Sequence, residues 1–330
     1  MVGRRGGVAE PLVTAAGLRL ETLAVSGLDL ADPRTVIRAA WRLPAATFAA
    51  RGLLRRTKAD AVIGAGGYVC VPVVAAAWLL GLPVVLMEQN AVPGRATRLL
   101  ARRSRVVATS FAETAQHLRA ARTVMTGNPV RREIRDLAPA PQRDRCAHVL
   151  VMGGSQGART LNRAIGGSVR DILSDHGDLH ITHQCGALDA EAMRAVAASL
   201  PAQLAPRYTV APFFTDMAQR IAASDLVLMR AGGSSLAECT ALGRAMILVP
   251  YPYAGGHQAH NVRPHVDAGA AIHIADSQCT PERVRSELNS LINDEDRFRT
   301  MSRASAAMGR PHAAEEVAML VAEAVGAHTA

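Results

Sequence analysis

Residues 148–162, which read HVLVMGGSQGARTLN, constrain the fold of this chain more than any other segment. A short apolar run typical of a buried strand stops at Gly153 and Gly154, and an alanine-rich helical pattern begins soon after. The first N–H groups of a helix have no partner within the helix and lie at the positive end of its dipole. The sequence therefore predicts an anion site here, most often for a phosphate. The spacing matches neither the dinucleotide-binding G-x-G-x-x-G nor the P-loop, and a simple tight turn is the alternative.

The composition narrows the class of protein. A length of 330 residues predicts about two domains, and 49% apolar residues argue against disorder. A net charge of +9 favours anionic partners, whereas an aromatic content of 3% argues against base stacking and hence against nucleic acid. The five cysteines form no C-x-x-C pair, which argues against a disulfide framework or a zinc site. We therefore expect a protein of a reducing cytoplasm with no metal or cofactor.

Short apolar segments alternate with helical patterns, which is typical of a parallel α/β fold. Candidate strands cover residues 18–25, 60–64, 83–87, 105–108, 123–125, 148–152, 179–184, 208–210, 225–229, 246–249 and 271–274. The sequence thus predicts α/β architecture with two doubly wound, Rossmann-like domains facing a cleft. Their expected bounds are 1–136 and 146–311, with a proline-rich linker at 137–145 and a last helix at about 312–330 that packs back on the first domain.

One uncharged segment, 68–87, has the length of a membrane span. Pro72, Gly81 and Pro83 interrupt it, and the sequence around Gly81 is typical of a helix end followed by a strand start. We therefore expect a buried helix at about 72–80 and a buried strand at 83–87. A transmembrane helix is the less favoured alternative.

The beginning of the chain lacks a unit that doubly wound domains normally have. Such a domain opens with a strand, a glycine turn and a helix, and that strand lies centrally in the sheet. This chain opens instead with VGRRGG, which is typical of the end of a later strand. We expect the N-terminal domain to be incomplete, with the natural protein beginning upstream or with residues 1 to about 30 weakly anchored.

Two clusters follow predicted strands of the N-terminal half. The glycines of GAGGY, at 64–68, either let a backbone approach a ligand or form a tight turn. Glu88 and Asn90 follow the strand at 83–87, at the end where such folds bind ligands. Glu88 is either a proton acceptor whose pKa is raised by apolar surroundings or a carboxylate that holds a loop by accepting N–H bonds.

Three further clusters suit phosphates and sugars. Arg131 of GNPVR is placed to bind a phosphate, or it is a solvated surface arginine. In RAGGSSLAE, Ser235 or the serine before it would cap a helix whose second turn carries Glu238. That carboxylate either accepts the two hydroxyls of a ribose or interacts with the helix dipole. His257 and Gln258 suit sugar hydroxyls, since an amide offers both a donor and an acceptor.

In their order along the chain, these motifs resemble one family, the MurG enzymes, which add N-acetylglucosamine to the lipid-linked muramoyl-pentapeptide of bacterial cell-wall synthesis. The motifs are GAGGYV, LGLPVVLMEQN, GNPVR, VMGGSQGAR, HQCG, FTDM, RAGGSSLAE and HQ with a following asparagine. The resemblance implies the two-domain GT-B fold of nucleotide-sugar glycosyltransferases. It also implies that the C-terminal domain binds UDP-N-acetylglucosamine.

By matched position, the resemblance implies a set of donor contacts. They are the phosphates and sugar for Ser155 and Gln156, the diphosphate for Arg131, the phosphates for Ser235, uracil for the backbone of Phe214 with Met217, the ribose for Glu238, and the sugar hydroxyls for His257 and Gln258. Gly157 and Gly232 are expected to be substrate-binding as well. Asn90 is expected to reach the transferred sugar, and Glu88 is the candidate catalytic residue. The implied reaction is an inverting displacement in which helix N-termini, not a metal, stabilise the leaving UDP.

The chain departs from the family pattern in three places. In the acceptor half, the family's opening G-G-T-x-G-H loop has no counterpart, and Met87 stands where a histidine usually precedes EQN. In the donor half, R-A-G-G at 230–233 replaces the usual R-S-G-A, and the other motifs are intact. Two alternatives therefore stand beside the cell-wall transferase: another GT-B UDP-sugar transferase with a different acceptor, and a non-catalytic UDP-sugar-binding protein.

A basic, amphipathic stretch bears on membrane contact. Its apolar and basic residues are Trp41, Leu43, Phe48, Leu53 and Leu54, interleaved with Arg38, Arg42, Arg51, Arg55, Arg56 and Lys58. Such a stretch lies on an anionic membrane surface, or it is an ordinary core helix with a solvated basic face. Together with the undecaprenyl-diphosphate-linked acceptor of the family, it predicts a peripheral protein on the cytoplasmic face of the plasma membrane.

Overall fold

The computed structural model describes residues 1–4, 10, 13–14, 16–23, 33–120, 122–141, 144–154, 157–253 and 256–329. The chain divides into two compact units. The first unit contains Met1–Thr126 and Glu315–Ala330, and the second contains Gly127–Ala314. Each unit is built around its own parallel sheet.

The first unit contains a four-stranded sheet and a separate pair of strands. In chain order its elements are β1 (Val2–Arg4), β2 (Glu21–Leu23), α1 (Pro33–Arg56), β3 (Val62–Gly64), α2 (Cys70–Leu79), β4 (Val84–Glu88), α3 (Arg95–Leu100), β5 (Val106–Thr109) and β6 (Thr123–Met125). The order across the sheet is β3-β4-β5-β6, and β1 pairs with β2. Ala50 and Leu54 of α1 pack with Val74 of α2 and Leu86 of β4 in one buried cluster.

The second unit contains a six-stranded sheet. Its elements are α4 (Arg132–Leu137), β7 (His148–Met152), α5 (Arg159–Asp175), β8 (His180–Gln184), α6 (Ala190–Ala198), β9 (Tyr208–Ala211), α7 (Met217–Ala223), β10 (Leu226–Met229), α8 (Gly233–Ala241), β11 (Ala245–Leu248), α9 (His257–Asp267), β12 (Ala271–His273), α10 (Pro281–Ile292) and α11 (Glu295–Met308). The order β12-β11-β10-β7-β8-β9 places the first strand of the unit at the centre, beside its fourth. This doubly wound order confirms the predicted fold class, and its switch point lies between β7 and β10.

The apolar strands of the second unit are buried on both faces. Every residue of β10 and β11 is buried, as expected when helices cover both sides of a parallel sheet. Leu161, Ile165 and Ile172 lie along one face of α5 and pack into the same core as the strands. The opposite face of α5 stays polar, so the helix is fixed on the sheet by its apolar side.

The last helix, α12 (Ala313–Thr329), brings the chain back to the first unit. Its Val317, Leu320 and Ala324 pack against Val85 and Val106 of the four-stranded sheet. One face of that sheet is therefore covered by residues from the far end of the chain.

The strand predictions agree with the structure, with small differences in bounds. Each candidate strand has a counterpart, and β1 is the exception that the candidates omit, because it carries a single apolar side chain. The uncharged segment 68–87 forms α2 and β4, as predicted. Among the helices that the structure describes, none is long and apolar enough to cross a bilayer.

The chain divides earlier than the predicted linker at 137–145. Residues from Gly127 onward belong to the second unit, where Asn128 Nδ2 donates to Ser234 Oγ at 3.4 Å and Ile134 of α4 is fully buried. Within the same segment, Pro141 O accepts a hydrogen bond from Arg244 Nη2 at 3.5 Å. This bond ties Pro141 of the proline-rich segment to the second unit, while residues 142–143 lie outside the described residues.

Candidate functional site

A cavity of about 610 Å³ lies in the second unit at the carboxyl ends of β7 and β10. This is the position where doubly wound sheets bind their ligands. The described residues that line it come from the ends of both strands, from the helix starts that follow them, and from the segments that follow β8, β11 and β12. They are Met152, Gly153, Gly154, Gly157, Ala158, Arg159, Thr160, Leu188, Asp189, Arg230, Gly232, Ser235, Tyr251, Tyr253, Gln258 and Asp276.

The first glycine loop brings backbone amides to the cavity. A Cβ at Gly153 would lie 2.3 Å from Ala158 N, and a Cβ at Gly157 would lie 2.3 Å from Cys185 O. Gly157 also has a φ of +79°, which L side chains rarely adopt. Among the described residues, no side chain caps the start of α5, because its N-cap is Ala158, and its first N–H groups lie beside the cavity. Ser155 and Gln156, both predicted contacts, lie outside the described residues.

The second glycine loop repeats this arrangement on the neighbouring strand. Gly232 is the N-cap of α8, and no side chain caps that helix either. Gly232 and Ser235 both line the cavity. The prediction that Ser235 or the serine before it caps this helix is wrong, because both serines lie within α8. The buried Asn261 of α9 donates from Nδ2 to Ala231 O at 3.2 Å, and so fixes the loop against α9. Two uncapped helix starts therefore point at one cavity.

The loop between β11 and α9 is held by an ion pair and an amide. Arg230 Nη1 donates to Asp276 Oδ1 at 2.6 Å and to Val249 O at 3.0 Å. Gln258 Oε1 accepts from the N–H of Tyr251 at 2.9 Å, which leaves its amide NH₂ group as the donor end. The loop thereby presents Tyr251 and Gln258 to the cavity.

A buried polar chain lies beneath the first glycine loop. Asn162 Nδ2 donates to Cys185 O at 2.8 Å and to Asp189 Oδ2 at 2.7 Å. Because both amide hydrogens are used, Asn162 Oδ1 must accept from His183 Nε2, at 2.9 Å. His183 Nδ1 then accepts from the Tyr208 hydroxyl at 2.8 Å. The network fixes a neutral His183, and burial lowers its pKa from 6.5 to about 4.

Gln184 connects the glycine loop to the segment predicted to bind uracil. Its Nε2 donates to Gly154 O at 3.4 Å, and its Oε1 accepts from Phe214 N at 3.1 Å. Phe214 and Met217 are nearly buried, and the Arg220 guanidinium lies 3.8 Å from the centre of the Phe214 ring. Neither Phe214 nor Met217 is among the residues that line the cavity.

Arg131 and Glu238 bind each other. Arg131 Nε donates to Glu238 Oε1 at 2.6 Å and Arg131 Nη2 donates to Oε2 at 2.9 Å, which is a two-point pair. The hydrogen bonds that Arg131 donates to Glu238 raise the pKa of the Arg131 guanidinium. The sequence assigned these residues separately, to a diphosphate and to a ribose, whereas the structure makes them partners. Neither belongs to the lining of the cavity, and His257, at the start of α9, does not either.

Glu88 and Asn90 lie in the first unit, at the end of β4. Glu88 Oε1 accepts from both the backbone N and Nδ2 of Asn90, at 3.1 and 3.0 Å, and Oε2 accepts from Gly94 N at 3.0 Å. A buried carboxylate with these three donors stabilises its loop. The geometry therefore favours the loop-holding alternative for Glu88 over proton acceptance.

The sequence argument missed several residues at the cavity. Arg159 follows the glycine motif, so the sequence itself showed a cation next to the predicted anion site. Asp189 and Asp276 offered no such signal, because only the folded chain brings them beside the glycine loops. The ring centres of Tyr251 and Tyr253 lie 5.3 Å apart. These two rings likewise line the cavity only because the folded loop brings them there.

Comparisons with known proteins place the chain in a family. The N-terminal domain model of glycosyltransferase family 28 matches residues 1–109, and its C-terminal domain model matches residues 148–317. The UDP-N-acetylglucosamine–N-acetylmuramyl-(pentapeptide) pyrophosphoryl-undecaprenol N-acetylglucosamine transferase of Myxococcus xanthus is 38% identical over 323 residues, covering 96% of this chain and 82% of that one. The crystal structure of Acinetobacter baumannii MurG is 30% identical with a TM-score of 0.77, covering 98% of this chain and 90% of that one. The chain belongs to the MurG family of glycosyltransferases.

MurG membership confirms the resemblance and the GT-B fold drawn from the motifs, and it makes the chain a hexosyltransferase. More distant structures share the fold alone. The UDP-GlcNAc 2-epimerase from Neisseria meningitidis bound to UDP-GlcNAc is 12% identical with a TM-score of 0.63, covering 96% of this chain and 90% of that one. The GT-B fold therefore extends well beyond the MurG family.

The close approach at Gly157 can be tested by substitution. Gly157→Ala should lower the free energy of unfolding of the second unit by at least about 1–2 kcal/mol, since the left-handed backbone alone costs that much with a Cβ. Contact with the Cys185 carbonyl adds to this cost. Gly177→Ala is the matched control, because a Cβ there meets nothing within 4 Å. Chemical denaturation of both variants makes the comparison, and equal stabilities would contradict the geometry.

The buried His183 predicts an acid-dependent loss of stability. The unfolded chain takes up a proton near pH 6.5, whereas the folded chain does so only near pH 4. Stability should therefore be unaffected above pH 6.5 and should fall as the pH drops from 6.5 to 4, by about 3 kcal/mol in total.

Denaturation at a series of pH values measures this slope. His183→Gln should flatten it, while His180→Gln, on the same strand but exposed, should leave it unchanged. A His183→Gln curve parallel to that of the unchanged protein would refute the assignment.

Proposed function

We propose that the cavity of the second unit binds UDP-N-acetylglucosamine, and that the chain transfers the sugar to a muramoyl-pentapeptide carried on undecaprenyl diphosphate. The observation that carries the donor site is the convergence of two uncapped helix starts, at Ala158 and Gly232, on one cavity. A diphosphate has two phosphoryl groups, and each helix start offers unpaired N–H groups and a positive dipole end for one of them. The M. xanthus relative named above carries this activity in its name.

The size and lining of the cavity suit a nucleotide sugar. Its volume of about 610 Å³ falls within the range of small-molecule sites, roughly 300–1,000 Å³. Gln258 is held by its carbonyl oxygen, so its NH₂ group can donate to a sugar hydroxyl, with His257 beside it. Ser155, Gln156 and Gly157 would complete the contacts to the phosphates and sugar.

We assign the ribose to Glu238 and the uracil to the Phe214 segment. A carboxylate has about four acceptor positions, so the two bonds from Arg131 leave room for two ribose hydroxyls. Arg131 then orients the carboxylate in place of contacting the diphosphate. The Phe214 amide already donates to Gln184, so its carbonyl, with Met217 nearby, is the group left for uracil.

The reaction is an inverting displacement. The acceptor hydroxyl attacks the first carbon of the sugar, and negative charge develops on UDP as it leaves. Fixed backbone amides stabilise that charge without having to reorganise. Asn90 remains the residue predicted to contact the transferred sugar, and Glu88 holds the Asn90 loop in place.

Transfer of labelled N-acetylglucosamine from UDP-GlcNAc to lipid-linked muramoyl-pentapeptide tests the proposal. Glu238→Gln should raise the KM for UDP-GlcNAc by about 10- to 100-fold, since a hydrogen bond to a charged group contributes about 1.5–3 kcal/mol. Glu191→Gln, an exposed carboxylate on α6, is the control and should not change KM.

The outcomes separate the competing functions. Transfer to other lipid or small-molecule acceptors alone would favour a different GT-B transferase. Donor binding without transfer to any acceptor would favour a UDP-sugar-binding protein.

We also propose that α1 lies on an anionic membrane surface of the cytoplasmic leaflet. Its outer face exposes Phe48, which is 66% accessible, and Leu43, beside the exposed Arg42 and Arg55. Leu53 and Leu54, part of the predicted membrane face, are instead buried in the core of the first unit. The side chains of Arg38 and Trp41 lie outside the part of the chain that the structure describes.

Sedimentation with vesicles of anionic lipid tests this surface. A Phe48→Ser variant with Arg42 and Arg55 changed to Gln should lose most of its vesicle binding, because both apolar insertion and charge attraction are removed. Each basic residue near such a surface contributes about 1 kcal/mol. A variant with Arg283 and Arg297 changed to Gln, in the second unit, is the control of equal charge loss. Equal binding by both variants would contradict the assignment to α1.

A further inference from the structure

We propose that Arg159 binds the diphosphate of the donor and of the leaving UDP. The inference rests on the proposed function, because it takes the cavity of the second unit to be the donor site. Arg159 is the first residue of α5, at the end of the first glycine loop. It carries a full positive charge at the place where the helix already offers its unpaired N–H groups.

Among the described residues that line the cavity, the arginines are Arg159 and Arg230. Arg230 is committed elsewhere, because its Nη1 binds Asp276 and two backbone carbonyls and its side chain is only 11% exposed. Moving it would leave Asp276 unpaired and release the loop that it holds. Arg230 therefore holds the cavity wall in place, and it is not the cation that turns toward the ligand.

Arg131, the cation that the motif comparison assigned to the diphosphate, is also committed. Both its Nε and its Nη2 bind Glu238, and it does not line the cavity. A move to the diphosphate would break two charge-assisted hydrogen bonds. The contribution of Arg131 is therefore made through Glu238.

Arg159 is held much more loosely. Its side chain is 67% exposed, and its recorded ionic partner is Asp189, whose Oδ1 lies 3.9 Å from Arg159 Nε. That separation is too long for a hydrogen bond, and an exposed ion pair of this kind contributes about 0–1 kcal/mol. The guanidinium can therefore turn onto a diphosphate at little cost and form two parallel hydrogen bonds there.

Asp189 explains why a cation is needed at this point. Its carboxylate lines the cavity and is anchored by Asn162, which is itself fixed by His183. A fixed negative charge beside a phosphate site repels the ligand unless a positive charge lies next to it. Arg159 supplies that charge, and the buried chain keeps Asp189 from following the arginine.

The arginine acts on the bond that breaks during transfer. The acceptor oxygen forms a bond to the first sugar carbon and gives up its proton to solvent. The bond from that carbon to the β-phosphate oxygen breaks, and its electron pair stays on UDP. Arg159 binds the oxygens on which this charge accumulates, so its contribution is larger in the transition state than for bound donor.

Calorimetric titration with UDP and with uridine tests the proposal. Arg159→Ala should weaken UDP binding by about 10- to 100-fold and leave uridine binding unchanged, since uridine has no phosphate. Arg159→Lys should recover part of the loss, because lysine keeps the charge without the two-point geometry. Arg170→Ala is the control, since this exposed arginine lies on the same helix, about 16 Å further along.

The same series includes transfer kinetics. Arg159→Ala should lower kcat as well as raise the KM for UDP-GlcNAc, while a purely structural arginine would alter neither once the variant is shown to fold. Equal UDP affinity in Arg159→Ala and the unchanged protein would overturn the assignment to Arg159 while leaving the donor site intact. If the unchanged protein binds neither UDP nor uridine, the assignment of the cavity as the donor site is wrong, and so is the role proposed for Arg159.

Discussion

The architecture of the proposed donor site depends on how closely two backbone segments approach each other at Gly157. Its Cα faces the Cys185 carbonyl with no room for a side chain, and its backbone is in the left-handed region. That contact sets where α5 begins, and thus where its first amides point. A bulkier residue would displace the helix start from the end of β7. The first amides of α5 would then no longer point into the same cavity as those of α8.

Around this contact, buried polar side chains of the second unit form hydrogen bonds with one another. Asn162, His183 and Tyr208 satisfy one another beneath the glycine loop, and Gln184 ties that loop to the Phe214 segment. A buried network of this kind is costly if any member lacks a partner, so it permits few alternative loop positions. Gly154, in the described part of the loop, is thus held by a hydrogen bond from Gln184, and backbone dipoles fixed in this way stabilise developing charge without having to reorganise.

Much of the fold followed from patterns that are local in the sequence. Alternation of apolar strands and helices gave the parallel sheets, and glycines after β7 and β10 marked the ligand end of the second unit. The pairing of Arg131 with Glu238 was not predictable in this way, since the two residues lie 107 positions apart. Side-chain partnerships depend on tertiary geometry, and a residue type that suits a phosphate also suits a carboxylate.

The compact units of the structure begin and end at other residues than the predicted domains, for a related reason. Proline and polar residues at 137–145 are typical of a linker, yet Ile134 and Asn128 already pack within the second unit. Composition describes how a segment behaves when solvated. It does not show which neighbours the segment meets.

The return of α12 to the first unit has a consequence for how the protein is made. Val85 and Val106 enter the sheet early, but Val317, Leu320 and Ala324, which cover them, are synthesised only after the whole second unit. The second unit can complete its own core while the ribosome still holds that covering helix. An apolar face of the nascent first unit therefore stays uncovered until α12 has left the ribosome.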